Sequence, residues 1–295
     1  CGFQPGETLA RFKGSQLERL EAKHPFLERS SLFVLGDHVT LEQGTGCVHT
    51  APGHGHEDYA VGQAYGLDIY CPVNGRGLFE EGTEFFAGMN VFKANPAVVE
   101  RLASRGALLA TENISHSYPH CWRCHKPVIF RATPQWFISM EHADLRQQAL
   151  EAIKGVRWLP EWGEERISNM IASRPDWCIS RQRVWGVPII VFYCESCNEP
   201  VLEKSFLDHV VSIFEKEGSD AWFQRTAEEL LPSGAHCPRC QAKNFRKESD
   251  ILDVWFDSGS SAEAVLGKRD DLPWPADVYI EGGDQYRGWF HSSLL

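Results

Sequence analysis

Asp253-Val254-Trp255-Phe256-Asp257-Ser258-Gly259-Ser260-Ser261 is a strand-like apolar run that breaks into small polar residues, within a segment, 251–295, that reads as strand, loop and helix. Glu281-Gly282-Gly283-Asp284-Gln285-Tyr286-Arg287-Gly288-Trp289-Phe290 repeats the device, again with polar side chains directly after an apolar approach. A strand–loop–helix pattern suits an α/β fold, and in open α/β sheets ligands bind beyond the carboxyl ends of the strands, so both segments are candidate substrate contacts. The competing reading is a pair of ordinary β-to-α turns with helix N-caps at Asp257 or Ser258.

Working outward, Val187–Phe192 reads as a buried-type strand, and residues 141–154 and 163–173 read as helices. From Ser115 onward aromatic and basic residues mix, with Trp122, Trp136, Trp158, Trp162, Trp177 and Trp185 in one stretch, which marks a composition boundary. Further upstream, the alternations Leu32–Leu35 and His38–Leu41 make residues 1–50 read as β-rich, and strand-like segments fall near 68–93. A helix is expected over Glu57–Tyr65, closed by Gly66, and another from Asn95-Pro96 over Ala97–Ser104, stopped by Gly106.

The chain has 295 residues, 43% hydrophobic and 23% charged, which excludes disorder, collagen and coiled coil and suits two or three globular units. No apolar run is long enough to cross a membrane, the start at Cys1 without Met reads as a window cut from something longer, and cysteines in C-x-x-C pairs suit a reduced compartment, so a cytoplasmic protein is expected. The net charge of −11 gives the whole chain no footprint for non-specific nucleic-acid binding. Any polyanion must therefore meet a local patch, and between Cys121 and Trp185 ten basic residues stand against seven acidic ones.

Six of the ten cysteines lie in C-x-x-C pairs. Cys194/Cys197 and Cys237/Cys240 offer the four soft ligands that a closed, structural tetrahedral Zn²⁺ site requires, in the manner of a zinc ribbon. Cys121/Cys124 has no visible partner, since Cys1, Cys47, Cys71 and Cys178 stand alone. A half zinc site completed from outside the chain, a redox pair and two buried thiols all compete for it; loop-like flanks on both sides favour the split zinc site.

His49-Thr50-Ala51-Pro52-Gly53-His54-Gly55-His56-Glu57-Asp58 packs three histidines and two acids into a glycine-rich loop at a helix start. A metal site, an acid that merely complements the helix dipole, and a ligand loop in which Asp58 holds a substrate ammonium are all open.

Five strings, at residues 44–59, 117–137, 174–188, 253–261 and 281–290, together resemble the isoleucyl-tRNA synthetases, a family of class I aminoacyl-tRNA synthetases, and occur in family order across nearly the whole chain. The S-R-Q-R-x-W-G and W-F-D-S-G themes are shared with the valyl and leucyl relatives, whereas H-T-A-P-G-H-G and R-A-T-P-Q-W-F are similar to the isoleucyl family specifically. The resemblance implies a Rossmann-type catalytic domain interrupted by a β-barrel editing insertion. Residues 1–114 would be the C-terminal part of the editing domain, 115–192 the return to the catalytic core, 193–245 the zinc ribbon, and 246–295 part of the second Rossmann half. The ATP-binding H-I-G-H signature and the threonine-rich editing strand would lie upstream and K-M-S-K-S downstream, so this chain by itself is not expected to aminoacylate.

It further implies that Asp58 is the editing-site acid that grips the α-ammonium of a mischarged ester, with His49 lining the same pocket. Glu281 would contact the isoleucyl adenylate within a wall of Asp284, Gln285 and Trp289, with Trp255 and Ser258 nearby. The implied partners are tRNA(Ile), isoleucine and ATP with Mg²⁺, alongside Zn²⁺, in a monomer. Two pockets are needed because one missing methylene discriminates by only about 1–3 kcal/mol, a limit for which isoleucine against valine is the standard worked case. A freestanding trans-editing hydrolase and a non-catalytic zinc-ribbon tRNA-binding module are the alternatives. The first gives residues 174–295 no reason to keep synthetase-like motifs, and the second finds little support in the weak segmental charge.

Overall fold

The computed structural model describes residues 6–40 and 45–295; Cys1, Leu41 at the end of the expected upstream strand, and Gly44 at the head of the 44–59 string lie outside the described residues. Two compact units divide at residues 134 and 135.

The first unit is loop-rich. Strands β1 (Glu21–Lys23) and β2 (Ser30–Leu32) pair antiparallel as a short hairpin. Helix α1 (His56–Tyr65) starts one residue before the expected Glu57 and ends as expected on Gly66, at φ +68°, where a side chain would be strained. Helix α2 (Val91–Ser104) starts six residues before the expected Ala97. Asn90 caps it by accepting from the Phe92 amide at 3.1 Å, and Pro96 lies inside it, where it forgoes one helical hydrogen bond instead of starting the helix. Between α1 and α2 the expected strands reduce to the isolated bridges Val73–Phe79 and Leu78–Asn90 around a turn at Asn74–Gly77.

The second unit opens with β3 (Phe137–Ile138), which pairs antiparallel with β4 (Trp177–Cys178). Between them lie α3 (Leu145–Lys154) and α4 (Trp162–Ala172), which bury Ala149, Ile153, Ile167 and Ile171 against Tyr286. Ile153 and Ala149, and Ile171 and Ile167, are four residues apart, so each pair lies on one helix face. Strand β5 (Ser180–Arg181) pairs with β9 (Ile251–Leu252). The expected strand over 187–192 contributes only its last residue to a ladder; Pro188 has no amide to donate and makes just an isolated bridge to Ile251.

A module with its own core follows. Strands β6 (Phe192–Cys194), β7 (Pro200–Val201) and β8 (Phe245–Lys247) form an antiparallel sheet in the order β7-β6-β8. Helix α5 (Lys204–Glu217) lays Phe206, Val210 and Ile213 onto it, and α6 (Ala221–Gln224) and α7 (Ala227–Leu230) add Trp222 and Leu230. The chain then enters α8 (Val254–Gly259), α9 (Ser261–Val265) and finally α10 (Trp289–Ser293). Asp253, rather than Asp257 or Ser258, is the N-cap of α8, because the helix starts directly at the strand end. Helix and strand are thus mixed, as an α/β reading requires. Among the described residues every ladder is antiparallel and no sheet closes into a barrel.

Candidate functional site

Among the described residues four groups of side chains are candidates for chemistry, two in each unit.

In the module of β6, β7 and β8, the thiols of Cys194, Cys197, Cys237 and Cys240 lie within 4.8 Å of one another. The cross pairs Cys194–Cys240 and Cys197–Cys237 are 3.5 and 3.6 Å apart. A tetrahedral ion with Zn–S bonds of about 2.3 Å sets its sulfurs about 3.8 Å apart, so the two cross pairs stand near that spacing and the four-thiol cluster is compatible with Zn²⁺. Burial opposes charge on Cys194, but the backbone amides of Cys197 and Ser196 together with the Cys240 and Cys197 thiols bring it down to about 7. Each pair forms a tight knuckle: the amide of Asn198 donates to Cys194 O at 2.8 Å and that of Gln241 to Cys237 O at 2.9 Å, with Asn198 and Gln241 at φ +57° and +64°.

Cys121-Trp122-Arg123-Cys124 in the first unit has the same build. The His125 amide donates to Cys121 O at 2.7 Å, His125 sits at φ +56°, and the Cys121 amide donates to Lys126 O as the Cys194 amide does to Glu199 O. Amides of Cys124 and Arg123 lower the Cys121 thiol below its ordinary range. The knuckle sits between loops and not at a helix start, closed by a bridge between His120 and Pro127.

The histidine-rich loop winds into α1 with Asp58 in its first turn. Asp58 Oδ2 accepts from the Ala51 amide at 2.9 Å, latching the loop, while Oδ1 lies 3.9 Å from His38 Nε2. Gly53 is required, since a Cβ there would collide with the Tyr70 carbonyl. The loop is tied to residues 130–132: His54 Nδ1 bonds Phe130 O at 2.9 Å and the Ala132 amide donates to Gly53 O at 2.8 Å. His49 is exposed and, among the described residues, makes no ion pair with Asp58; His38 occupies that place. Sequence reading passed over His38 because nothing local marks it, twenty residues away in what reads as a strand.

The segments 253–261 and 281–290 come together where α8 meets α10. A Cβ on Gly259 would sit 2.6 Å from Ser292 O, and one on Gly288 would meet the Trp255 ring at 2.9 Å, so both glycines permit a close approach. Trp289 stacks on Tyr279 with ring centroids 3.5 Å apart, its Nε1–H points to Ser261 Oγ at 3.4 Å, and Gln285 Oε1 accepts from its backbone amide at 3.1 Å. Trp255, Gln285 and Trp289 thus share one wall. Glu281 and Asp284 are exposed beside it, Asp284 accepting from Gln285 at 3.2 Å, and Ser258 O accepts from Ser261 Oγ at 2.6 Å.

Behind the wall stand residues to which the sequence assigned no role. Asp253 is buried; its Oδ2 accepts from Arg181 at 3.0 Å and Trp177 Nε1 at 3.3 Å, while Oδ1 caps α8. Burial, then the charge of Asp253, raises the Asp257 carboxyl. His291, on α10, is buried 2.8 Å from the Arg174 guanidinium, and burial together with Arg174 and Arg287 pushes its pKa down to about 4. Arg174 and Arg181 both belong to the 174–188 string, whose run of arginines was their only signal.

A sequence profile described as tRNA synthetases class I (I, L, M and V) matches residues 14–295. The chain is 58% identical over 294 residues to an isoleucine–tRNA ligase of Syntrophotalea carbinolica, across 100% of this chain and 32% of that protein. It is 57% identical over 293 residues to the isoleucine–tRNA ligase of Moorella thermoacetica and 58% over 290 to that of Geobacter sulfurreducens, covering 99% and 98% of this chain and 31% of each relative. The chain therefore spans about a third of the length of the relatives it matches.

Proposed function

Because the chain belongs to the class I tRNA synthetases of the I, L, M and V group, we propose that it is the central part of an isoleucine–tRNA ligase, an enzyme that joins isoleucine to tRNA(Ile) at the expense of ATP. The observation that carries this reading is the wall of Trp255, Gln285 and Trp289, where two motifs meet in an aromatic face suited to an aliphatic side chain and its adenylate. Glu281 and Asp284 at its exposed rim offer carboxylates to the substrate ammonium and ribose hydroxyls, and Ser258 lies on the same helix as Trp255.

The Asp58 loop serves as the editing pocket of the same enzyme. Oδ1 of Asp58 grips the ammonium of a valyl ester, which orients the ester carbonyl for attack by water; the ester is reactive, so positioning supplies most of the rate. His49 stands at the rim, and His38 backs the acid. Residues 1–114 belong to the editing insertion and 246–295 to the catalytic half. Residues 115–192 connect the two, and 193–245 form a ribbon that Zn²⁺ closes through Cys194, Cys197, Cys237 and Cys240. Cys121 and Cys124 are half of a second Zn²⁺ site completed from elsewhere in the longer protein. The metal's contribution is structural, since four thiolates leave no open position.

The test is isoleucine-dependent ATP–pyrophosphate exchange by the complete protein, together with clearance of valyl-tRNA(Ile). Exchange with isoleucine and rapid valyl-tRNA deacylation are expected. Deacylation without exchange would favour a trans-editing hydrolase, and tRNA binding with neither activity would favour a binding module.

A further inference from the structure

The chain carries 40 acidic residues, yet between Glu112 and Glu141 there is none. This acid-free stretch holds Arg123, Lys126 and Arg131 with His116, His120 and His125, in a protein whose net charge is −11. Its tip is the Cys121–Cys124 knuckle, where Trp122 is 78% exposed and the Arg123 guanidinium lies 4.8 Å from the centre of its ring. Among the described residues neither Arg123 nor Lys126 pairs with a carboxylate. Arg131 is committed to Val73 O. Below the tip His116, Tyr118 and His120 contact edge to face at 5.9 and 6.3 Å and, with Phe92 and Ile129, line a groove of about 540 Å³.

We infer that this face, the Trp122–Lys126 knuckle and the histidine–tyrosine groove beneath it, is the track along which a single-stranded RNA 3′ end crosses the first unit to reach Asp58. The inference rests on the reading of Asp58 as the editing acid. Its geometry is local: the segment leaving the knuckle is residues 127–132, and the 53–54 loop is hydrogen-bonded to residues 130–132. A terminal nucleotide whose ester lies at Asp58 can therefore lead back along residues 127–132, a segment with no acidic side chain. Exposed cations there meet phosphates, and exposed aromatic faces stack unpaired bases without reading their sequence. An acidic polypeptide would satisfy the cations but leave the ladder of rings without a stacking partner, so RNA is the occupant the residues favour.

The side chains of Trp122, Arg123 and Lys126 are exposed and outside the knuckle's backbone hydrogen bonds, so replacing them leaves its fold intact. In the complete protein, Trp122→Ala should raise KM for valyl-tRNA deacylation about tenfold with kcat unchanged, and Trp122→Phe should restore much of it. Arg123→Gln with Lys126→Gln should lower the slope of log affinity against log salt for a deacylated tRNA by about 1 to 2. ATP–pyrophosphate exchange without tRNA should be unchanged in all three. Unchanged KM and salt slope in variants that retain zinc, beside a wild type that deacylates valyl-tRNA, would overturn the track while leaving the editing reading in place. A wild type that exchanges isoleucine but does not deacylate would overturn the editing reading and the track with it. Competition by polyglutamate as strong as by a short unstructured RNA would assign the face to an acidic protein segment instead.

Discussion

Asp58 commits one carboxylate oxygen to the loop: Oδ2 latches it through the Ala51 amide, while Oδ1 faces His38 at 3.9 Å. Asparagine can keep the latch through its amide oxygen but has no charge for an ammonium. Asp58→Asn should therefore melt within about 0.5 kcal/mol of wild type while valyl-tRNA clearance falls roughly 10- to 100-fold, the worth of a charge-assisted hydrogen bond. Asp58→Ala should lose both, with a further cost of about 1–2 kcal/mol for the orphaned Ala51 amide. Wild-type clearance by Asp58→Asn in a stopped deacylation assay would remove the ammonium grip from the mechanism. His291 gives a second residue-level expectation. Unfolded it titrates near 6.5 and folded near 4, because burial and the Arg174 and Arg287 charges exclude the proton. Between those values the unfolded chain binds the extra proton, so its contribution is complete above about pH 6.5 and is lost as pH falls toward 4. His291→Gln should flatten that part of the stability curve by on the order of 3 kcal/mol in urea titrations. An identical acid limb in wild type and variant would contradict the burial argument.

At the scale of elements, Glu248 joins β8 to the segments that flank it. One oxygen accepts from Trp136 Nε1 at 3.0 Å and Tyr193 Oη at 2.6 Å, the other from the Ser249 and Asp250 amides. Burial opposes the charge, but these four donors hold the carboxyl below its usual range, and burial with Glu248 pushes the Tyr193 phenol up to about 12. Glu248→Ala strands two partly buried donors and should cost about 2–4 kcal/mol, read as a lowered midpoint in thermal unfolding. Losing zinc acts on the same sheet: Cys194→Ser should remove one metal ion per chain and speed hydrogen exchange over residues 192–247, while α3 and α4, packed on a separate core, keep their protection. Full metal content in that variant would break the ribbon assignment. The thiol pairs were legible because C-x-x-C encodes a local turn and two such turns suffice for a tetrahedron. Helix α1 was legible through Gly66, but α2 was misplaced because Pro96 is a strong local signal and Asn90 a weak one. Long-range partners left no mark at all: His38 beside Asp58, Tyr279 on Trp289 and Glu248 under Trp136 depend on contacts that periodicity does not carry.

For the molecule as a whole, the division into two units has a functional consequence. The Asp58 loop and its supports lie in residues 1–134, whereas Trp255, Gln285, Gly288 and Trp289 all lie in residues 135–295. If the first removes valine and the second activates isoleucine, each can be disabled alone. Gly288→Ala places a methyl group 2.9 Å from the Trp255 ring and against Gln285 Oε1, which should displace the wall by several tenths of an ångström. If the wall holds isoleucine, such a shift should raise KM for isoleucine in pyrophosphate exchange by roughly 10- to 100-fold, since errors of one methylene are worth about 1–3 kcal/mol. Valyl-tRNA supplied ready-made should still be cleared at the wild-type rate. Asp58→Asn should show the mirror image, with exchange intact and clearance lost. Assaying both reactions on both variants decides the matter: if Gly288→Ala slows deacylation of pre-formed valyl-tRNA as much as it slows exchange, one pocket serves both steps, and the assignment of separate chemistry to the two units fails.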